Sequence, residues 1–261
     1  MRRLVSLMCM CVVAILSMAQ AKYVFMFIGD GMGPHQVLST EMYLAEMEGK
    51  IGRKQLLMTT FPYSGQAATF SASSGITDSA ASGTCLATGK KTNNGVIGLA
   101  HDSTPVYSVA SQLKQQGWGV GIMTTVTIDH ATPSAHYAHT PSRENYYTIG
   151  TQLVESNFDF FGGAGFSRPL DRNNADAPNL YDLAQQKGYA LVAGYEDVKN
   201  HSAAKKMILL PEYYQDYYTS FAGALPYAID RTPSDLTLSQ IVEVAIDRLS
   251  TYDRFFIMAE G

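Results

Sequence analysis

Lys22-Tyr23-Val24-Phe25-Met26-Phe27-Ile28-Gly29-Asp30-Gly31-Met32-Gly33 is the stretch on which the fold turns. Lys22 to Ile28 is a β-rich apolar run. It closes on glycines flanking Asp30, and Gln36 to Glu48 then has helical composition and spacing, so the pattern is strand, tight turn, helix. The alternation recurs. A helix over Val106–Gln116 leads to a strand over Trp118–Val126, and Asn179–Lys187 leads to Tyr189–Ala193. Helices near Ser142–Glu155 and Asp235–Leu249 precede strands Phe158–Phe161 and Arg254–Ala259. This order predicts an α/β fold: a three-layer sandwich with a largely parallel central sheet flanked by helices. Functional groups should collect at the carboxyl ends of its strands. The aromatic segment Tyr213 to Tyr227 reads as an irregular, packed crossover.

The chain has 261 residues, 46% hydrophobic and 16% charged, enough for one large domain over 22–261 and unlike a disordered chain. Met1-Arg2-Arg3, the apolar run Leu4 to Leu16 and Ala19-Gln20-Ala21 have the pattern of a signal peptide over 1–21, cleaved before Lys22. The run is short for a bilayer span, so export to the periplasm or medium without a stable membrane anchor is expected. Losing Arg2 and Arg3 takes the net charge from −4 to −6, which argues against nucleic acid as a partner. Cys9 and Cys11 leave with the signal, and Cys85 alone can form no internal disulfide.

Thr77-Asp78-Ser79-Ala80-Ala81-Ser82-Gly83-Thr84 places a hydroxyl between an acid and small residues at a helix start. Unpaired N–H groups there would meet an anion. A serine hydroxyl, roughly six units above neutral in acidity, needs about 8 kcal/mol to reach its alkoxide. A helix dipole contributes only about 0.3–1 kcal/mol. A base or metal must supply the rest, and no Gly-x-Ser-x-Gly elbow surrounds Ser79. Helix capping by Thr77, Asp78 or Ser79 explains the same residues without chemistry.

Asp30 sits in a turn that permits close approach by a ligand, but Pro34 breaks the dinucleotide fingerprint. A turn aspartate alone reads the same way. Gly83 to Thr92 has one residue too many for a nucleotide phosphate loop and follows a helix instead of preceding one. Asp129-His130-Ala131-Thr132-Pro133 follows another strand, with Arg143 beyond it near a helix start. Carboxylate and threonine oxygens suit a hard cation such as magnesium, and an arginine fork matches two phosphate oxygens. His130, His136 and His139 could ligate zinc, though their spacing fits no standard helical pair. Glu260 ends the last strand.

These pieces together resemble the alkaline phosphatase family. The matching stretches are FIGDGMG at 27–33, TDSAASGTCLATGKKTNNGVIG at 77–98, DHATPSAHYAHTPSR at 129–143 and FFIMAEG at 255–261. Weaker similarity in FFGGAG, LPYAIDR and the helix before the last strand continues in the same order. The resemblance implies hydrolysis of phosphate monoesters through a phosphoserine intermediate, with two zinc ions and one magnesium. Ser79 would be the nucleophile and a zinc ligand, and Asp30 would bridge zinc and magnesium. Thr132 and Glu260 would complete the protein ligands of magnesium, and Arg143 would clamp the phosphate. His130 falls close to magnesium and phosphate, as a tuning residue. A homodimer is implied for the full-length form.

The family continues past the Glu-Gly with the aspartates and histidines that hold zinc. The expectation is therefore a C-terminally truncated catalytic domain with little activity of its own, and a last strand that forms an unpaired sheet edge. The rival readings are a related phosphodiesterase, phosphomutase or sulfatase, a non-catalytic fragment binding magnesium or phosphate, and a histidine-assisted serine esterase.

Overall fold

A computed structural model describes residues 21–217 and 223–261; the signal sequence expected over 1–21 lies almost wholly outside the described residues. Six strands, β1 (Tyr23–Ile28), β2 (Gly119–Thr124), β3 (Phe160–Gly162), β4 (Tyr189–Ala193), β5 (Lys206–Leu210) and β6 (Phe255–Glu260), form one sheet. Every pair is parallel and the order is β1-β6-β2-β3-β5-β4. Among the described residues the helices are α1 (Pro34–Met47), α2 (Ser79–Thr88), α3 (Val109–Gln115), α4 (Ala131–Ser134), α5 (Tyr146–Glu155), α6 (Leu180–Gln186) and α7 (Leu238–Leu249). The α/β sandwich expected from the strand–helix alternation is what the chain adopts.

β2 and β6 are buried throughout, which is why GVGIMT and FFIMAE read as continuous apolar runs with no two-residue alternation. One core cluster joins Val120, Ile122, Phe256 and Met258 to Ile128, Ile149, Leu153 and Phe161. The other joins Phe255, Ile257, Met123 and Phe160 to Ile241, Val244 and Leu249 of α7. α7 lies close because the strands beneath it carry glycine. A Cβ at Gly162 would stand 2.3 Å from Ile241 Cγ2, and one at Gly121 would stand 2.9 Å from Leu249 Cδ1. A side chain in either place would push the helix off the sheet.

Three helix starts differ from the sequence reading, and one strand is new. Ser108 Oγ accepts from Ser111 N, so α3 begins at Val109. The helix after Ser142 begins only at Tyr146, leaving Arg143 in the preceding loop. Thr237 and Gln240 form a reciprocal capping box that starts α7. β5 was not foreseen: a 3₁₀ turn over Glu196–His201 precedes it where the alternation called for a helix. The aromatic crossover is 3₁₀ over Glu212–Tyr217, buries Tyr214 and donates Leu225 N to Thr125 O at 2.7 Å; residues 218–222 lie outside the described part.

The expectation that the last strand forms an edge is corrected. β6 is inserted between β1 and β2, and among the described residues β1 and β4 are the edge strands. On the α7 side β1 presents Tyr23, Phe25 and Phe27, which are 54%, 42% and 67% exposed.

Gly162→Ala should lower unfolding free energy by about 1–3 kcal/mol through overpacking against Ile241. A urea midpoint equal to wild type would show that α7 is free to move away.

Candidate active site

The carboxyl ends of β1, β6 and β2 converge. Ile28 pairs with Glu260, which pairs on its other side with Thr124. Beyond β1 the chain turns through Gly31 at φ +71°, a left-handed conformation that glycine adopts freely. Asp30 N donates to Gly261 O at 3.1 Å, fixing the turn to the end of β6. Ser79 Oγ donates to Asp30 Oδ2 at 2.8 Å. The hydroxyl of the first residue of α2 thus meets the first strand's carboxylate across 49 residues of sequence.

Asp78, immediately before it, caps α2. One oxygen accepts from Ala81 N at 2.9 Å, and the other accepts from Gly95 N at 2.9 Å and from Arg143 Nη1 at 3.3 Å. Arg143 N donates to Gly95 O at 2.7 Å, so its backbone is tied to the Gly95 turn while its side chain is tied to the residue that caps α2. Its other terminal nitrogen, Nη2, lies 3.1 Å from His130 Nε2. Burial lowers the pKa of His130, and the Arg143 guanidinium lowers it further, against the pull of Asp30 and Glu144. Such an imidazole stays neutral and accepts from Arg143.

On the β6 side, Thr124 Oγ1 donates to Glu260 Oε2 at 2.6 Å. Burial pushes the Glu260 carboxyl up; the Thr124 hydroxyl holds it back, the Asp30 charge raises it and Arg143 lowers it. Thr132 Oγ1 faces this carboxylate from α4 but is buried outside hydrogen-bonding geometry to any described group. Two neighbouring carboxylates and an orphaned hydroxyl make an oxygen donor set that fits a hard divalent cation. For zinc the described residues offer less: no three His, Cys, Asp or Glu groups converge. His139 Nε2 faces Val106 O at 3.1 Å and His136 Nδ1 faces Thr132 O at 3.3 Å, so both rings are set against backbone carbonyls.

Ser79 thus meets Asp30, and Arg143 meets His130; Asp78, next to Ser79 in the chain, holds Arg143 beside the first pair, with Thr132 and Glu260 facing each other alongside. Sequence reasoning missed Thr124 and the second role of Asp78, because each acts on a residue far along the chain. Asp129, whose carboxylate the sequence set with Thr132 among oxygens suited to a hard cation, is buried, and its two oxygens each accept from Ser167 N at 2.9 Å, pinning the loop after β3 to the loop after β2.

Solved structures that superpose on this chain include alkaline phosphatases. Alkaline phosphatase from the Antarctic bacterium TAB5 is 28% identical with a TM-score of 0.76, over 93% of this chain and 66% of that one. The Thermus thermophilus alkaline phosphatase is 26% identical with a TM-score of 0.76, over 92% of this chain and 50% of that one. A variant of the TAB5 protein with magnesium bound is 26% identical with a TM-score of 0.72, over 93% of this chain and 65% of that one. In sequence, the tissue-nonspecific isozyme of Gallus gallus is 29% identical over 92% of this chain and 54% of its own length. Alkaline phosphatase 4 of Bacillus subtilis is 34% identical over 71% of this chain and 39% of its own. The sequence model of the alkaline phosphatase family matches residues 21–261, and the chain belongs to that family. It spans about half the length of the curated relatives it matches.

Asp78→Ala should cost about 1–2 kcal/mol of stability through loss of the cap, read as a lower urea midpoint. His136 is fully buried, and its pKa is pushed from 6.5 down to about 4 by burial. The fold holds the neutral ring, so this contribution is complete above the ordinary value and is lost as pH falls from about 6.5 towards about 4. In urea melts from pH 7 to 4, His136→Gln should therefore lose less stability than wild type; parallel pH profiles would contradict the assignment.

Proposed function

We propose that this chain carries the nucleophile, phosphate clamp and magnesium ligands of a phosphate monoesterase, and that zinc ligands from elsewhere are needed for full turnover. The contact between Ser79 Oγ and Asp30 Oδ2 at 2.8 Å carries the reading, because it joins a hydroxyl at a helix N-terminus to a carboxylate at a strand end. The Ser79 oxygen gives up its proton to solvent and forms the new bond to phosphorus, the ester P–O bond breaks, and the departing alkoxide takes a proton from water and leaves as the alcohol. Water then cleaves the phosphoserine and regenerates the hydroxyl. The Asp30 carboxylate orients the Ser79 proton. Arg143, held by Asp78 and Gly95, offers its fork to two phosphate oxygens. The unpaired N–H groups at the start of α2 offer further donors to the phosphate.

Asp30, Thr132 and Glu260 would hold magnesium. Asp30 and Ser79 are too few for a tetrahedral zinc site. A bound divalent cation neutralises phosphate charge and, at a hydroxyl, supplies the several units of acidity that a helix dipole cannot. Export after removal of residues 1–21, and a homodimer for the longer form, belong to the same reading. No helix among the described residues is long and apolar enough to cross a membrane.

With zinc and magnesium supplied, the purified chain should release aryl alcohol from an aryl phosphate scarcely faster than Ser79→Ala. Rapid turnover abolished by Ser79→Ala would keep the nucleophile and overturn the need for further ligands. Rapid turnover unchanged by Ser79→Ala would overturn the nucleophile itself.

A further inference from the structure

The loop after β3 brings a second arginine to the same end of the sheet. Arg168 follows Ser167, whose N–H donates to both oxygens of Asp129 at 2.9 Å. The next residue, His130, meets Arg143 Nη2 at 3.1 Å. One two-residue turn therefore touches Arg143 on one side and the Arg168 loop on the other.

The Arg168 guanidinium lies over the Tyr146 ring, 5.1 Å from its centroid. Tyr146 opens α5 three residues after Arg143, and its hydroxyl feels the charges of both arginines. Stacking on a ring occupies the face of a guanidinium and leaves the in-plane fork of N–H donors unused. Here that fork is unspent. Arg168 Nε is buried without an acceptor, and among the described residues Arg168 makes no ion pair. Glu144 shares these surroundings and is not paired with it. A buried, uncompensated donor on a charged group is costly, and an anionic ligand would relieve it.

We infer that Arg168 forms a second anion subsite beside the phosphate clamp, selecting phosphate monoesters whose alcohol side carries a carboxylate or a second phosphate. The inference rests on the reading of Arg143 as the clamp. Glycerol 3-phosphate and 3-phosphoglycerate share a phosphate ester and differ by a carboxylate, so their relative affinities isolate the subsite without any turnover.

By calorimetry of the full chain in magnesium, 3-phosphoglycerate should bind about tenfold more tightly than glycerol 3-phosphate. Arg168→Gln should bring the two within about twofold by weakening 3-phosphoglycerate alone. Arg172→Gln, at an exposed position in the same loop, should keep the tenfold preference. Equal affinities in wild type would overturn the subsite and leave the phosphate clamp standing. Equal weakening of both ligands in Arg168→Gln would make Arg168 a merely structural support and overturn the selectivity. Binding of neither ligand by folded chain would overturn the subsite and the clamp together.

Discussion

Insertion of β6 between β1 and β2 is the constraint from which the site follows. Parallel neighbours cannot be joined by a hairpin, so each pairing requires a crossover and brings together residues far apart in sequence. The register sets Ile28 and Thr124 on either side of Glu260. Asp30 is then anchored by Gly261 O, and Thr124 reaches the Glu260 carboxylate. A slip of one residue in β6 would turn Glu260 towards the opposite face of the sheet. Neither the two-carboxylate cluster nor the Asp30 contact to Ser79 would survive it.

Charge is separated around this frame. Asp30 and Glu260 lie together and raise the cost of ionising Glu260, while Arg143 and a neutral His130 face them. Asp78 keeps Arg143 from collapsing onto the carboxylates: the guanidinium is held through Nη1 at Asp78 and Nη2 at His130. The same carboxylate caps α2 and fixes the Gly95 turn. One side chain therefore sets both where the Ser79 hydroxyl begins its helix and where the phosphate donors stand. Ser79 meets the negative group on one side and the positive group is anchored beside it, as attack on an anionic ester requires.

Much of this was legible from local pattern. The first strand, its glycine turn and the helix after it show in the order of apolar, glycine and helix-forming residues, and a sheet covered on both faces follows from their repetition. β5 escaped because its apolar core, Met207 to Leu210, is short and follows a 3₁₀ turn, without the helix that marked the other strands. Asp78 was readable as a cap because Ala81 is three residues away, but not as the partner of Gly95 and Arg143, 17 and 65 residues away. Thr124 has no local signature at all, since its partner Glu260 lies 136 residues on. The individual candidates carried residue types suited to the chemistry; their mutual geometry depends on strand order, which no local pattern encodes.

Strand order also sets a timetable for synthesis. β1 is made first, and its neighbour β6 is made more than two hundred residues later. At about 5–20 residues per second of translation, β1 waits roughly ten seconds or longer before it can pair. During that interval an apolar strand, with Phe25 and Phe27 on one face and Val24 and Met26 on the other, has neither its ladder nor its core. Contacts this distant along the chain make folding slow, and the unpaired strand is a ready template for another chain. A nascent chain of this topology therefore depends on whatever occupies β1 before the sheet can close.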